Sequence, residues 1–143
     1  MPQHQETRTL PYSADQMFDL VAGIERYPDF LPWCKGAHIL SRDKEGILAD
    51  LVVGTSLFHE KFTTHVTLDR ARAITVDYRS GPLSHLSNVW SFKPKGRKSC
   101  EISFAVDFDF RSPLLRAAMA VFFDRALIRM VAAFEERAKE LYG

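Results

Sequence analysis

The sequence predicts an α+β fold, a curved antiparallel sheet of about six or seven strands wrapped around one long C-terminal helix, with two short helices after the first strand. Three observations lead there. Residues 36–110 alternate apolar and polar side chains with a period of two. Residues 112–143 place apolar side chains at helical spacing. A proline-rich break near residues 27–32 ends a helix that begins at Ser13. A sheet with one apolar face needs a cover, and the terminal helix is the one element large enough to supply it. The sheet is expected to curl around that helix and to leave a space between them.

The elements follow in order. Residues 6–10 are short enough for an edge strand. Ser13 is a good N-cap, and Gln16 three positions on completes a capping box. Met17, Leu20, Val21 and Ile24 then share one helical face. The helix falters at Tyr27-Pro28, because the residue before a proline avoids the α region. With Pro32 close behind, YPDFLPWC (27–34) reads as a kinked, aromatic-rich turn or a second short helix.

Ile47, Ala49, Leu51 and Val53 alternate with Leu48, Asp50 and Val52, and Phe62, Thr64, Val66 and Leu68 alternate with Thr63, His65, Thr67 and Asp69. Ile74, Val76 and Tyr78 make a further strand, and Leu86, Asn88, Trp90 and Phe92 another. The cleanest alternation sets Cys100, Ile102, Phe104, Val106, Phe108 and Phe110 against Glu101, Ser103, Ala105, Asp107 and Asp109, one face buried and one wet. DKEG (43–46), DRAR (69–72), SGPLS (80–84) and KPKGRK (93–98) are turn signals between strands, so the strands form a hairpin-linked meander.

In the last helix Ser112 is the N-cap and Pro113 occupies the first helical position, where a missing N–H costs little. Met119, Phe122, Phe123, Ala126, Leu127, Met130, Phe134, Ala138 and Leu141 form one stripe. Asp124, Arg125, Arg129, Glu135, Glu136 and Lys139 oppose it. Arg116 and Arg137 fall within the stripe and are expected to snorkel. Val121 and Ile128 lie on the charged side, and AAMAVFF (117–123) is apolar nearly all round. That segment either packs under a loop or presents an apolar patch to a membrane or partner.

Composition narrows the function. A chain of 143 residues suits one domain over residues 1–143. With 46% hydrophobic residues and a formal charge of +1, disorder is excluded, and no basic excess exists to displace counterions from nucleic acid. No apolar run reaches the roughly 18–20 residues of a membrane span, and the first residues carry no secretory apolar stretch. Cys34 and Cys100 stand alone, with no CxxC pattern, and read as small buried hydrophobes in a reducing cytoplasm.

Catalytic constellations are absent from the sequence. It contains no GxSxG, P-loop, GxGxxG or HExxH. His59 and His65 are about 20 Å apart if their strand is continuous, too far to chelate one metal. Asp107 and Asp109 share an outward strand face, where solvation explains them. Glu60 is the one charged residue in phase with Phe62, Val66 and Leu68, and as a strand-end residue it reaches solvent. The prominent feature is apolar. Eleven Phe, two Trp and four Tyr concentrate on inward faces and in the 27–34 turn, and a curled sheet over a helix can enclose a ligand-sized space between them.

YPDFLPWC (27–34), HLSNVWSF (85–92), DFDFRSPLL (107–115) and VFFDRALIRMVAAFEERAKELYG (121–143) together resemble the coenzyme Q-binding START-domain family, relatives of the polyketide cyclase/dehydrase group that include bacterial ribosome-association toxin homologues. The resemblance runs from about residue 4 to the last residue, in order and spacing. It implies a helix-grip fold whose apolar tunnel holds ubiquinone or a similar polyprenyl lipid, with no catalytic cofactor and no metal. The implied role is a carrier or chaperone that supports respiratory electron transport without catalysing a reaction.

On that reading Phe62, Trp90, Phe92, Phe104, Phe108, Met119, Phe123 and Met130 wall the tunnel, and Phe30, Leu31 and Trp33 form its mouth or lid. The partners are then a hydrophobic small molecule and, transiently, a membrane surface, in a cytoplasmic protein at times peripheral to the inner membrane. The alternative implied by the toxin homologues is an interaction protein that blocks ribosomal subunit joining. A third reading is a cyclase or hydrolase. The mitochondrial members' presequence has no counterpart here, which points to a bacterial cytoplasmic protein. GTSLFHEKF (54–62) lacks the prolines of their corresponding loop.

Overall fold

The computed structural model describes residues 3–54 and 59–143, apart from the side chains of Met119, Ala120 and Phe122. Residues 55–58, the centre of the 54–62 segment that differs in sequence, and the wall position expected for Met119 therefore fall outside the described residues and side chains. The chain builds β1 (Gln3–Leu10), α1 (Ala14–Ala22), a 3₁₀ helix (Ile24–Asp29), then β2 (Cys34–Asp43), β3 (Gly46–Gly54), β4 (His59–Asp69), β5 (Ala73–Ser80), β6 (Leu83–Pro94) and β7 (Cys100–Phe110). It ends in α2 (Pro113–Ile128) and α3 (Met130–Tyr142). The seven strands form one antiparallel sheet in the order β1-β7-β6-β5-β4-β3-β2. β2 to β7 are the expected meander. β1 joins its far edge beside β7, so α1 and the 3₁₀ helix carry the chain across the sheet between the two edge strands.

Alternation sets the faces. Along β7 every even-numbered residue from Cys100 to Phe110 is buried and every odd one half-exposed. β1 is longer than the short edge strand expected, because its backbone pairs with β7 from Gln3↔Asp107 to Leu10↔Cys100. Register shifts in the β2–β3, β4–β5 and β6–β7 pairs insert extra residues, and such bulges bend strands and increase twist. That is the local source of the sheet's curvature. The β2–β3 hairpin requires glycine at Gly46. Its φ is +139°, and a Cβ there would meet the Val66 carbonyl oxygen at 2.2 Å.

The helix ends behave as the sequence predicts, with changes inside. The Ser13 hydroxyl accepts from Gln16 N–H at 3.1 Å, and the Gln16 side chain accepts from Ser13 N–H at 3.0 Å. α1 stops at Ala22, earlier than the proline break, because Gly23 caps it on Asp19. The 3₁₀ helix that follows accommodates Pro28, and the Tyr27 carbonyl accepts both Phe30 N–H (3.2 Å) and Leu31 N–H (2.9 Å). YPDFLPWC is thus a 3₁₀ turn leading into β2, which begins at Cys34.

The expected continuous terminal helix is bent at Arg129, where φ is −96° and ψ is 2°. Its N–H still bonds the Arg125 carbonyl at 3.3 Å, and its carbonyl still accepts Ala133 N–H at 2.9 Å, so the axis bends without reversing. α3 is held down on the sheet's β1 side: Arg8 Nη1 donates to Glu135 at 2.9 Å, Tyr142 O–H donates to the Gln16 carbonyl at 3.3 Å, and Val131, Phe134 and Ala138 are almost fully buried. Leu141, placed in the buried stripe by its spacing, is 51% exposed, since burial on this face ends at Ala138. α2 follows a separate support, the β7 end of the sheet, where Arg116 pairs with Asp109 at 2.8 Å.

Candidate functional site

The concave face of the sheet and the underside of α2 and α3 do not meet everywhere. Between them lies an apolar cavity of about 130 Å³. Its floor is made by alternate residues of five strands: Leu51 and Val53, then Phe62, Thr64 and Val66, then Ile74 and Val76, then Asn88 and Trp90, and finally Phe104, Val106 and Phe108. Phe123, Ala126 and Leu127 of α2 and Met130 and Phe134 of α3 roof it. Ile24, Tyr27 and Trp33 close the end nearest the 3₁₀ helix. A period-two pattern on curved strands facing a bent helix pair necessarily converges side chains on such a space.

Aromatic rings hold the walls in place. Trp90 packs on Phe104 at 4.6 Å and edge-on against Phe134 at 5.1 Å. Phe123 lies 5.4 Å from Phe108 and stacks over Phe62 at 6.3 Å. Tyr27 and Phe30 both meet Phe134 edge-on, at 5.5 and 5.1 Å. Such pairs stabilise beyond simple area burial, by about 0.5–1.5 kcal/mol each.

Of the residues expected at a ligand site, Trp33, Phe62, Trp90, Phe104, Phe108, Phe123 and Met130 line the cavity. Leu31 is buried in the core at 1% exposure, and Phe92 turns to α1, edge-on to Phe18 at 5.6 Å. Phe30 backs the end wall through Phe134, with the Arg137 guanidinium 5.3 Å above its ring. Half-buried Trp33, Leu51, Val76, Leu86 and Phe123 mark where the cavity approaches the surface.

Few polar groups face this space, and no charged side chain lines it among the described residues. The Tyr27 hydroxyl donates to the Val21 carbonyl, and burial, with a smaller contribution from Cys34, holds its phenol far above its ordinary range. The Thr64 hydroxyl, fully buried, donates to the Ala49 carbonyl at 3.3 Å. Asn88 Nδ2 donates to the Ala105 carbonyl at 2.9 Å. Each leaves lone pairs, and Asn88 a second N–H, available to a ligand. Thr64 and Asn88 were legible as polar residues in phase with apolar strand faces, but were not singled out as site residues. An uncharged lining of this kind suits a neutral apolar ligand with one or two polar atoms, because a charged one would be desolvated without a partner.

Other titratable groups lie elsewhere. His85 and Asp107 meet at 3.2 Å on the outer face. Asp109 is not simply solvated: burial works against its ionisation, but the Phe110 N–H and the Arg116 guanidinium outweigh it and hold the carboxyl below its ordinary range. Among the described residues no three His, Cys, Asp or Glu side chains gather as a metal site would require. Cys34 and Cys100 are buried and free. No helix in the described residues is long and apolar enough to cross a membrane.

Comparison with known proteins agrees with this architecture. A family model described as polyketide cyclase / dehydrase and lipid transport matches residues 10–135. The ribosome association toxin RatA of Pseudomonas aeruginosa is 39% identical over 139 residues, which are 97% of this chain and 96% of that one. The mitochondrial coenzyme Q-binding protein COQ10 homolog B of Xenopus laevis is 35% identical over 147 residues, covering 99% of this chain and 59% of its own length. Among solved structures, a START superfamily protein from Mycobacterium smegmatis superposes with a TM-score of 0.82 at 22% identity, over 97% of this chain and 98% of that one, and so supports the fold.

Proposed function

Since the chain belongs to the polyketide cyclase/dehydrase and lipid-transport family and has its START-like helix-grip fold, we propose that it binds ubiquinone or a related polyprenyl lipid between sheet and helices and carries it as a chaperone for respiratory electron transport. The observation that carries this reading is the cavity itself, with aromatic walls, three polar side chains and, among the described residues, no charged lining. The name of the Xenopus laevis relative supports the ligand class.

Size then divides the ligand. A dry cavity of about 150 Å³ accepts a benzene ring. At about 130 Å³ this one is slightly smaller than that, so a substituted quinone ring enters only as the half-buried rim at Trp33, Leu51 and Phe123 opens, and the prenyl tail follows the surface from there. Each prenyl unit has five carbons, so shielding one from water is worth about 4 kcal/mol. That gain is what favours the protein over cytosol. The second N–H of Asn88 donates to a ring oxygen. Tyr27 and Thr64, whose hydroxyl protons go to Val21 and Ala49, keep lone pairs that accept only from the hydroxyls of the reduced ring. Trp33, Phe62, Trp90, Phe104, Phe108, Phe123 and Met130 form the walls. Nothing in this lining supplies a charged acid or base to the ring, so the role is binding and presentation.

The chain's two tryptophans, Trp33 and Trp90, both line the cavity, so a quinone bound there quenches the intrinsic fluorescence. Saturable quenching by a short-tailed ubiquinone, together with quinone found by mass spectrometry in organic extracts of the purified protein, is the expected result. No quenching and an empty extract would overturn the proposal. The toxin relative motivates the second reading, an interaction that blocks ribosomal subunit joining. A lipid carrier leaves subunit association unchanged in sedimentation profiles of ribosomes mixed with the protein, whereas the interaction reading predicts loss of joined ribosomes.

A further inference from the structure

The helix α2 is apolar on two opposite sides, and the chain covers one of them. Its inner side, with Phe123, Ala126 and Leu127, roofs the cavity. On the outer side Leu114 is 81%, Val121 65% and Ile128 63% exposed, and at 100° per residue they fall on one line along the helix. The exposed Ala117 and Ala118 fill the gaps between them. The sequence left open whether Val121 and Ile128 pack under a loop. Both are in fact exposed. A helix with two apolar sides is suited to lie between two apolar layers.

We infer that the second layer is a membrane surface bearing anionic headgroups, on which α2 lies flat. Arg111 precedes the exposed line, Arg125 interrupts it and Arg129 ends it, all three exposed. With Arg116, these arginines outnumber the neighbouring acids Asp109 and Asp124, so the rim of the apolar face is basic. This combination is what an interfacial helix presents to acyl chains and anionic headgroups. A second copy of the chain fits less well. Sixteen residues make a face about 24 Å long and 10 Å wide, on the order of 240 Å², against about 800 Å² per partner in a stable protein interface.

The inference deepens the lipid-carrier reading and, for its consequence, rests on it. The helix that lies on the bilayer is the one that roofs the cavity, and its junction with the anchored α3 is the bend at Arg129. Docking would therefore bring the roof of the lipid site to the membrane that supplies its ligand.

The test is flotation of the protein with vesicles of phosphatidylcholine alone and with added phosphatidylglycerol. Wild type should float with the mixed vesicles and much less with phosphatidylcholine. Val121→Asp/Ile128→Asp should abolish flotation, and Arg125→Glu, a change of two charges, should weaken it about thirtyfold, while thermal unfolding and quenching by short-tailed quinone stay as in wild type. Undiminished flotation of the double variant, or no flotation of wild type, would overturn the inference. So would a concentration-dependent dimer that the double variant dissolves without any vesicle binding. Normal flotation with no quinone quenching would uphold the docking face and sink the carrier reading alone.

Discussion

Filling the cavity should separate stability from ligand binding. Ala126 on α2 is half-buried and lines the space from above, and Ala126→Leu adds three carbon atoms pointing into it. Each buried carbon is worth about 0.8 kcal/mol, so the transfer gain is about 2.4 kcal/mol. Leucine in place of alanine gives back only a few tenths in helix propensity, leaving about 2 kcal/mol. For a domain of this size that raises Tm by about 4–8 °C. The same three carbons occupy about half the volume of a six-carbon ring, which a cavity of this size only just admits, so quinone binding should fall by at least an order of magnitude. Differential scanning calorimetry reads the first effect and tryptophan quenching the second. A fall in Tm would mean that the space is already filled in solution. A rise in Tm with undiminished quenching would place the ligand outside the cavity and refute the reasoning directly.

Phe134→Ala removes the ring on which Tyr27, Phe30 and Trp90 converge, and should destabilise by about 3–5 kcal/mol in urea titrations; a cost under about 1 kcal/mol would mean that the cluster relaxes into the space. Gly46→Ala should cost far more than Gly96→Ala, because both sit at positive φ but only the first drives a Cβ into a backbone oxygen, the second meeting nothing within 4 Å; equal midpoints in denaturant would contradict this. Alkaline pH should also weaken the fold. Burial, partly offset by a backbone hydrogen bond at Gly36, pushes the Cys34 thiol up to about 11, and the Tyr27 phenol is raised further. The native state keeps protons that the unfolded chain releases, so stability is constant up to about the ordinary thiol value of 9.0 and falls as pH rises through 11. A Cys34→Ala variant should show a shallower fall in urea midpoint between pH 9 and 11, and an identical profile would remove Cys34 as its cause.

The sheet and the helix ends were legible because their causes are local. The β7 alternation, the Ser13 capping box and Pro113 at the start of α2 each act within a few residues, and the structure shows all three. The helix stripe was legible only in part. Leu127, Met130, Phe134 and Ala138 are buried as their spacing requires, whereas Leu141 is not, because helical periodicity says which side a residue is on but not how far the sheet extends beneath it. The bend at Arg129 has no proline or glycine to announce it; it arises where α3, tied to β1 and α1, gives way to α2 on the β7 end of the sheet.

The candidate site divides the same way. Its aromatic residue types and the strands that carry them could be read from period and composition. Phe92 and Phe104 nevertheless share the inward face of adjacent strands, and only Phe104 reaches the cavity, while Phe92 meets Phe18. Which inward residues touch each other and which border empty space depends on where α1 and α2 come to rest, and that is a sum of contacts far apart in the chain. By itself, the sequence determined the period of each segment, the places where helices start, and the scarcity of charge on the apolar strand faces, where Glu60 is the one charged residue in phase with Phe62 and Val66, since backbone sterics and side-chain solvation act over a few residues. The tertiary structure alone decided the size of the cavity, its three polar groups and the outward face of α2, because volume and exposure exist only once distant elements have packed.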